Sequence, residues 1–392
     1  MIEPLKGIRV IDMCRSYPPA LAAMLMADFG ADVIKIDPVG HINPLPLITT
    51  EEQFAAYNSI DRNKRSLRLN LRTNAGKEIM FKLAKTADVL IENSRPGTME
   101  RLGIGYERLK QINPGLIFAA VSGYGQTGPY RDLVGHDSNF MGVSGALSII
   151  GPKDGPPCWP SNMVADMAGA GLHPLLGVLI ALIARDKTGK GQLVDISYTD
   201  SVFGLIGFDI MFYLLTKEPR RRGKTLQTGS EPCAAVYQTK DGEYITIQFI
   251  EPQFWKNFCQ AVGKPELINR QWAASDKDRT EMFNILTELF LTKTRDEWWQ
   301  WSKDKQVMLA PVLYIEEAID DPQMRARGMV MELNHPTQGK VLQVGNPLKL
   351  SETPPTFKHF SPLPGQNTDE ILNELGFKSN EIEEYRKGKI VE

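Results

Sequence analysis

Three short runs of this 392-residue sequence put ionisable side chains where helices begin. Gly135-His136-Asp137-Ser138-Asn139 opens a helix expected to start near Ser138. The run from Asn162 to Gly171 ends an extended segment and opens a long helix, with Asp166 at its start. Ile250-Glu251-Pro252 follows an apolar strand and places a proline in the first turn of another helix. Free backbone N–H groups at a helix start keep a carboxylate ionised and push a histidine toward its neutral form. A neutral imidazole suits a general base, and the same N–H groups can hold an oxyanion. Each residue also has a plain structural reading: Asp166 as an N-cap, His136 as a satisfied structural histidine, Glu251 as a surface residue opening its helix.

Other chemistries lack their residues. Asp37 ends the first β-α-β unit, where a dinucleotide-binding fold keeps its ribose acid, but the turn Met13–Pro19 (MCRSYPP) has no glycine for a pyrophosphate. Gly123, Gly125 and Gly128 spell GxGxxG, yet Pro129 follows and no long helix starts there, so a tight structural loop is expected. Gly142-Val-Ser144-Gly lacks the spacing of a nucleophile elbow, and Gly189-Lys190-Gly191 is not a P-loop. His41, His136, His173, His335 and His359 form no HxxxH pair, and no metal site is expected.

The elements that must position these residues read as α/β. Ile8–Met13, Ala31–Asp37, Ala87–Ile91, Gly115–Val121 and Leu193–Ser197 are apolar strands, with helices at Ala20–Phe29, Ala75–Lys85 and about Asp166–Asp186. Alternation of this kind implies a parallel sheet with crossover helices. After the basic connector Lys217–Gly229 come a hairpin, Ala235–Thr239 and Tyr244–Phe249 around Asp241-Gly242, and Trp-rich helical residues. The expected division is a discontinuous large domain, 1–220 and 331–392, with a smaller α+β domain at 225–330. Net charge of −2 without a basic stripe argues against a nucleic-acid partner. Cys14, Cys158, Cys233 and Cys259 are far apart, which points to a reducing cytoplasm. No signal-peptide pattern opens the chain, and Leu175–Ala184 is too short for a membrane span and reads as a buried helix.

The runs PLKGIRVIDM, MADFGADVIKID, RNKRSLRLNL, ENSRPGTMERLGIG, INPGLIFAAVSGYGQTGPY, GHDSNF, VADMAGAG and KTGKGQLVDISYTDSV resemble the family III coenzyme A transferases (CaiB/BaiF type) nearly end to end. That family also contains α-methylacyl-CoA racemase. The resemblance implies a Rossmann-like large domain, a small domain and two ring-like subunits interlocked as a homodimer. It implies an acyl-CoA substrate and no separate cofactor. Family transferases use an aspartate at the place of Asp166 as nucleophile, and formyl-CoA transferase carries a glycine-rich loop where this chain has Gln248-Phe-Ile-Glu-Pro-Gln253. Racemases carry GHD, an aspartate in VADxAG and IEP; all three stand here, with Asp166 30 residues beyond His136 and Glu251 a further 85 on. The racemase branch is therefore expected, with transfer through an anhydride at Asp166 as the alternative.

By the same resemblance, His136 and Asp166 exchange the α-proton of a 2-methylacyl thioester, Glu251 orients His136 and Asp137 supports Asp166. The Asp166 N–H would hold the enolate oxygen, worth on the order of 3 kcal/mol. Ordinary values of about 6.5 for His and 3.9 for Asp let either member carry the proton. Arg95, Arg62, Lys64 and Gly135 are the implied CoA-binding residues. Pro38 stands where the family often has a cation, and Arg15 or Arg62 is expected to replace it. Phe140, Met141, Phe249, Phe254 and Trp255 could line an apolar acyl site.

Overall fold

The computed structural model describes residues 2–40 and 50–392, which leaves His41 outside the described residues. Six parallel strands form the main sheet: β1 (Arg9–Met13), β2 (Asp32–Asp37), β3 (Arg65–Arg68), β4 (Val89–Glu92), β5 (Ile117–Ser122) and β6 (Leu193–Ser197). Their order is β3-β2-β1-β4-β5-β6, so the chain reverses direction across the sheet between β1 and β4. In open α/β sheets the crevice at that reversal, beyond the carboxyl ends of the strands, is where ligands bind. Every residue of β4 and β5 is buried, as continuous apolar runs covered on both faces should be.

The crossover helices follow from local sequence. Tyr17–Asp28 begins directly after β1, with Ser16 at its N-cap and prolines in its first turn. Asn74–Thr86 is capped by the Thr73 side chain, which accepts from the Gly76 N–H at 3.0 Å, and buries Ile79, Met80 and Leu83 on one face.

The long apolar helix differs from expectation. Met163–Leu172 is a π-helix, followed without a break by the α-helix His173–Thr188. The whole run of 26 residues is long and apolar enough to cross a membrane by length and composition alone. Nor is it wholly buried: Leu175, Val178, Ala181 and Leu182 face inward, while Leu176, Ile180 and Ile183 are more than half exposed. A helix laid on one face of a sheet buries one stripe only, and here the outer stripe is apolar as well.

The chain divides into two compact units. The larger comprises residues 1–144, 161–205 and 322–392. It includes the antiparallel pair β10 (Val330–His335) and β11 (Gly339–Val344) and the C-terminal helices. The smaller comprises 145–160 and 206–321, so it begins earlier than the sequence reading placed it and captures a piece of chain before the π-helix. Its sheet is β7 (Ala234–Gln238), β8 (Tyr244–Gln248) and β9 (Leu309–Pro311), all antiparallel. The hairpin turn has Gly242 at φ +84°, a left-handed conformation that costs glycine little. β9 escaped the sequence reading because three residues carry no readable alternation.

Candidate active site

The N-terminus of the short helix Asp137–Val143 meets the π-helix. His136 is the N-cap residue and is exposed, its backbone N–H donating to Asn139 Oδ1 at 2.9 Å. Asp137 is buried, and its Oδ2 accepts from the Asp166 backbone N–H at 2.9 Å. Asp166 is half-buried in the first turn of the π-helix and is not its N-cap. Burial pushes its carboxyl up to about 6, the neighbouring Asp137 charge adds to the rise, and His136 partly opposes it. His136, Asp137 and Asp166 thus form one electrostatically coupled group in the larger unit.

Two details depart from the sequence reading. Asp137 supports Asp166 through the main chain, and in doing so it occupies the Asp166 N–H that was expected to hold an enolate oxygen. Periodicity also gave no sign of the π-helix, a widened turn that recurs at functional sites. Its end is secured by His173, whose Nδ1 lies 3.0 Å from both the Ala168 and Gly169 carbonyl oxygens. The His173 backbone N–H also donates to the Gly169 carbonyl, and because a carbonyl oxygen only accepts, the imidazole Nδ1 is the donor to both.

Gly135 has a packing reason of its own. A Cβ there would lie 2.8 Å from the Phe140 ring, and one at Gly123 only 2.5 Å from it. Phe140 packs edge-on against Tyr124 and tilted against Tyr198, whose centroid is 4.9 Å away. The first glycine of the GxGxxG look-alike therefore makes room for the Phe140 ring, while Gly125 and Gly128 take positive φ in the loop that follows.

A cavity of about 730 Å³ opens at the carboxyl ends of the first strands, lined by Met13, Ile36, Pro38, Leu69 and Ser94 among others. Four cations border it: Arg15, Arg72, Arg101 and Lys389. Arg15 was expected there; Arg72, Arg101 and Lys389 were missed. Arg72 sits just past β3 and Arg101 within ERLG, positions a strand-end rule could have flagged, whereas Lys389 comes from the far end of the chain and no local signal marks it. Arg95 is exposed on the neighbouring turn and does not line the cavity.

Arg62 and Lys64 are corrected outright. Arg62 is 2% exposed and grips both Asp28 oxygens, at 3.0 and 2.7 Å, while donating to the Val344 carbonyl. The Lys64 ammonium is fully buried and bonds Asp12 Oδ2 at 2.7 Å, Asp61 Oδ1 at 3.0 Å and the Ala20 carbonyl at 3.1 Å. Between them Asn63, at φ +61°, donates to Asp28 and accepts from the Lys358 N–H. The basic turn is an internal staple and leaves no charge for a phosphate.

Glu251 belongs to the smaller unit, where it is exposed at the N-cap of Pro252–Ala261. Phe249 and Trp255 are fully buried in that unit's core, stacked around Phe258, and so do not wall a ligand site. Phe140 and Met141 are buried as well.

Comparison with known proteins agrees with this geometry. Residues 5–368 match CoA-transferase family III. The chain is 36% identical over 392 residues to α-methylacyl-CoA racemase of Homo sapiens, covering 99% of this chain and 97% of the other. It is 34% identical over 411 residues to formyl-CoA:oxalate CoA-transferase of Escherichia coli O6:H1, covering 97% and 98%. Among solved structures, a CAIB/BAIF family protein from Brucella suis superposes with a TM-score of 0.82 at 28% identity, over 96% of this chain and all of that one. Family model, sequence and fold agree: the chain is an enzyme of CoA-transferase family III.

Proposed function

We propose that this enzyme is an acyl-CoA racemase or epimerase that exchanges the α-proton of a 2-methyl-branched acyl thioester. The observation that carries the reading is the Asp166 carboxyl, raised to about 6 and coupled to His136 across one small site. Proton transfer works best when acid and base titrate near the working pH. A carboxyl near 6 can take the α-proton as carboxylate on one face while an imidazolium returns a proton on the other. Asp137 contributes twice, by anchoring the Asp166 main chain and by raising its carboxyl. Carbon-acid exchange of this kind needs no redox cofactor or metal, and coenzyme A enters as part of the substrate.

The coenzyme's phosphates would meet Arg15, Arg72, Arg101 and Lys389 at the strand-end cavity, with Arg95 beside it on the exposed turn. Arg15 then takes the place of the cation absent at Pro38. Two faces support a homodimer. Helix Gly207–Thr216 buries none of its residues although it carries Phe208, Met211, Phe212, Leu214 and Leu215, and Leu176, Ile180 and Ile183 stand outward on the larger unit. Exposed apolar surface on this scale marks a partner, and we take it to be a second copy of this chain. The buried thiols of Cys14, Cys233 and Cys259, unpaired in the structure, suit a reducing cytoplasm.

The similar identity to a formyl-CoA:oxalate CoA-transferase favours one second reading, transfer of CoA between carboxylates through an anhydride at Asp166. Incubation with a panel of 2-methylacyl-CoA thioesters in deuterated water separates the two. Racemisation gives α-deuterium without any acceptor acid. Failure to incorporate deuterium from any thioester, together with a hydroxylamine-trappable adduct on Asp166 that needs acyl-CoA, would establish transfer instead.

A further inference from the structure

Lys389 joins the wall of the strand-end cavity from a backbone position that favours glycine. The helix Ser379–Lys387 ends in a paired closure: the Lys389 N–H donates to the Arg386 carbonyl and the Ile390 N–H to the Tyr385 carbonyl. In that closure the second residue past the helix turns left-handed and is usually glycine. Here it is Lys389, at φ +53°. A left-handed lysine brings its Cβ against the following carbonyl oxygen. The glycine stands one residue earlier, at Gly388, whose φ of −76° does not require it. Closing the helix gives no reason for a lysine; the cavity does.

The segment that carries Lys389 is fixed to the end of β3. Leu69, whose N–H donates to the Asp37 carbonyl, forms an antiparallel bridge with Val391. The Asn70 N–H donates to the Ile390 carbonyl at 2.8 Å. The Asn70 side chain then ties two cation-bearing residues together. Its Nδ2 donates to the Lys389 carbonyl at 3.4 Å, and its Oδ1 accepts from the Arg72 N–H at 3.1 Å. Arg68, four residues before Arg72, is taken up by Glu51 and Glu392. Among the described residues Arg72 and Lys389 have no ion-pair partner, and both are exposed at the cavity.

The sheet order separates these two cations from the others. They stand beside the end of β3, whereas Arg15 follows β1 and Arg101 lies in Thr98–Leu102 after β4. In the order β3-β2-β1-β4 the outer two strands are three spacings apart, roughly 14 Å. His136, Asp137 and Asp166 come in the crossover from β5 to β6, on the far side of β4 from β3. Coenzyme A carries its thioester at one end, its ribose 3′-phosphate at the other and the pyrophosphate between. A thioester brought to Asp166 along the strand ends sets the pyrophosphate by Arg15 and Arg101 and the 3′-phosphate by β3.

We propose that Lys389 and Arg72 form the subsite for the ribose 3′-phosphate and make the enzyme select coenzyme A over 3′-dephospho-coenzyme A. This rests on the reading of the ligand as an acyl-CoA.

The test is calorimetric titration of wild type, Lys389→Gly, Arg72→Ala and Arg101→Ala with CoA and with 3′-dephospho-CoA, with the melt of each protein recorded. Wild type should bind CoA at least about tenfold more tightly than dephospho-CoA, the effect of one bond to a charged group. Lys389→Gly and Arg72→Ala should each weaken CoA by about that factor and leave dephospho-CoA unchanged. Lys389→Gly should melt no lower than wild type, because glycine suits the left-handed position. Arg101→Ala should weaken both ligands alike, since both carry the pyrophosphate. Equal binding of the two by wild type would overturn the subsite and leave the acyl-CoA reading standing. So would Lys389→Gly that binds CoA like wild type or weakens both ligands equally. Wild type that binds neither ligand would remove the acyl-CoA reading, and the subsite with it.

Discussion

At the scale of single residues, two carboxyls are pushed the same way by burial, Asp166 in the site and Glu92 at the end of β4. Asp166 titrates near 6, so its base form is lost as pH falls through that value. The kcat/KM for α-deuterium exchange should therefore drop below about pH 6. Because the Asp137 charge contributes to the rise, Asp137→Asn should move this limb to lower pH, and pH profiles of the two proteins check the direction. An unmoved limb would show that Asp137 acts only through the main chain. Glu92, at the end of β4, is raised to about 7 by burial, while its Oε2 accepts from the Ser94 N–H at 2.7 Å. Between about 4.5 and 7 the unfolded chain releases this proton and the folded one keeps it, so Glu92's contribution to stability declines as pH rises through that window. Glu92→Gln keeps an acceptor for Ser94 and cannot ionise. Relative to wild type it should gain stability from pH 5 to pH 8, on the order of 3 kcal/mol at 1.36 kcal/mol per unit. Urea titrations at both pH values measure the gain, and an equal offset at the two would contradict the assignment.

At the scale of elements, the turn that carries Arg62, Asn63 and Lys64 is a structural joint. Removing one partner of a buried pair leaves the other charge stranded, a cost on the order of 3–5 kcal/mol. Arg62→Ala should accordingly lower thermal stability sharply, whereas Arg72→Ala should weaken CoA binding with an unchanged melt; calorimetry of folding and of CoA binding tells the two apart. The same turn shows where sequence reading stops. Three cations in RNKR look like a phosphate site, because Asp28 and Asp12, which claim two of them, lie 34 and 52 residues upstream. Strands β1, β2, β4 and β5 were legible because buried parallel strands are short apolar runs between charged turns. The π-helix was not, because its residues are as apolar as those of the α-helix that follows and no local signal distinguishes the two hydrogen-bonding patterns. Of the site, His136, Asp137 and Asp166 could be named from their helix-start setting and the family resemblance. Arg72, Arg101 and Lys389, which line the strand-end cavity, come from separate stretches of the chain, and only the folded sheet gathers them.

At the scale of the whole molecule, outward apolar stripes on both units are the basis of the proposed homodimer. Ile180→Asp combined with Ile183→Asp should convert a dimer to a monomer in analytical ultracentrifugation, and a wild type that sediments as a monomer at micromolar concentration would remove the second copy from the account. The near-neutral net charge fits a polyanionic ligand met by four local cations, so CoA affinity should fall as salt rises. The central claim, however, is that two different bases serve the two faces of one carbon. Its most direct test is single-turnover α-deuterium incorporation from each separated epimer of a 2-methylacyl-CoA, using wild type, His136→Ala and Asp166→Asn. Wild type should label both epimers, and each variant should fail to label one epimer, a different one in the two cases. Equal loss from both epimers in either variant, or full labelling by Asp166→Asn, would contradict it.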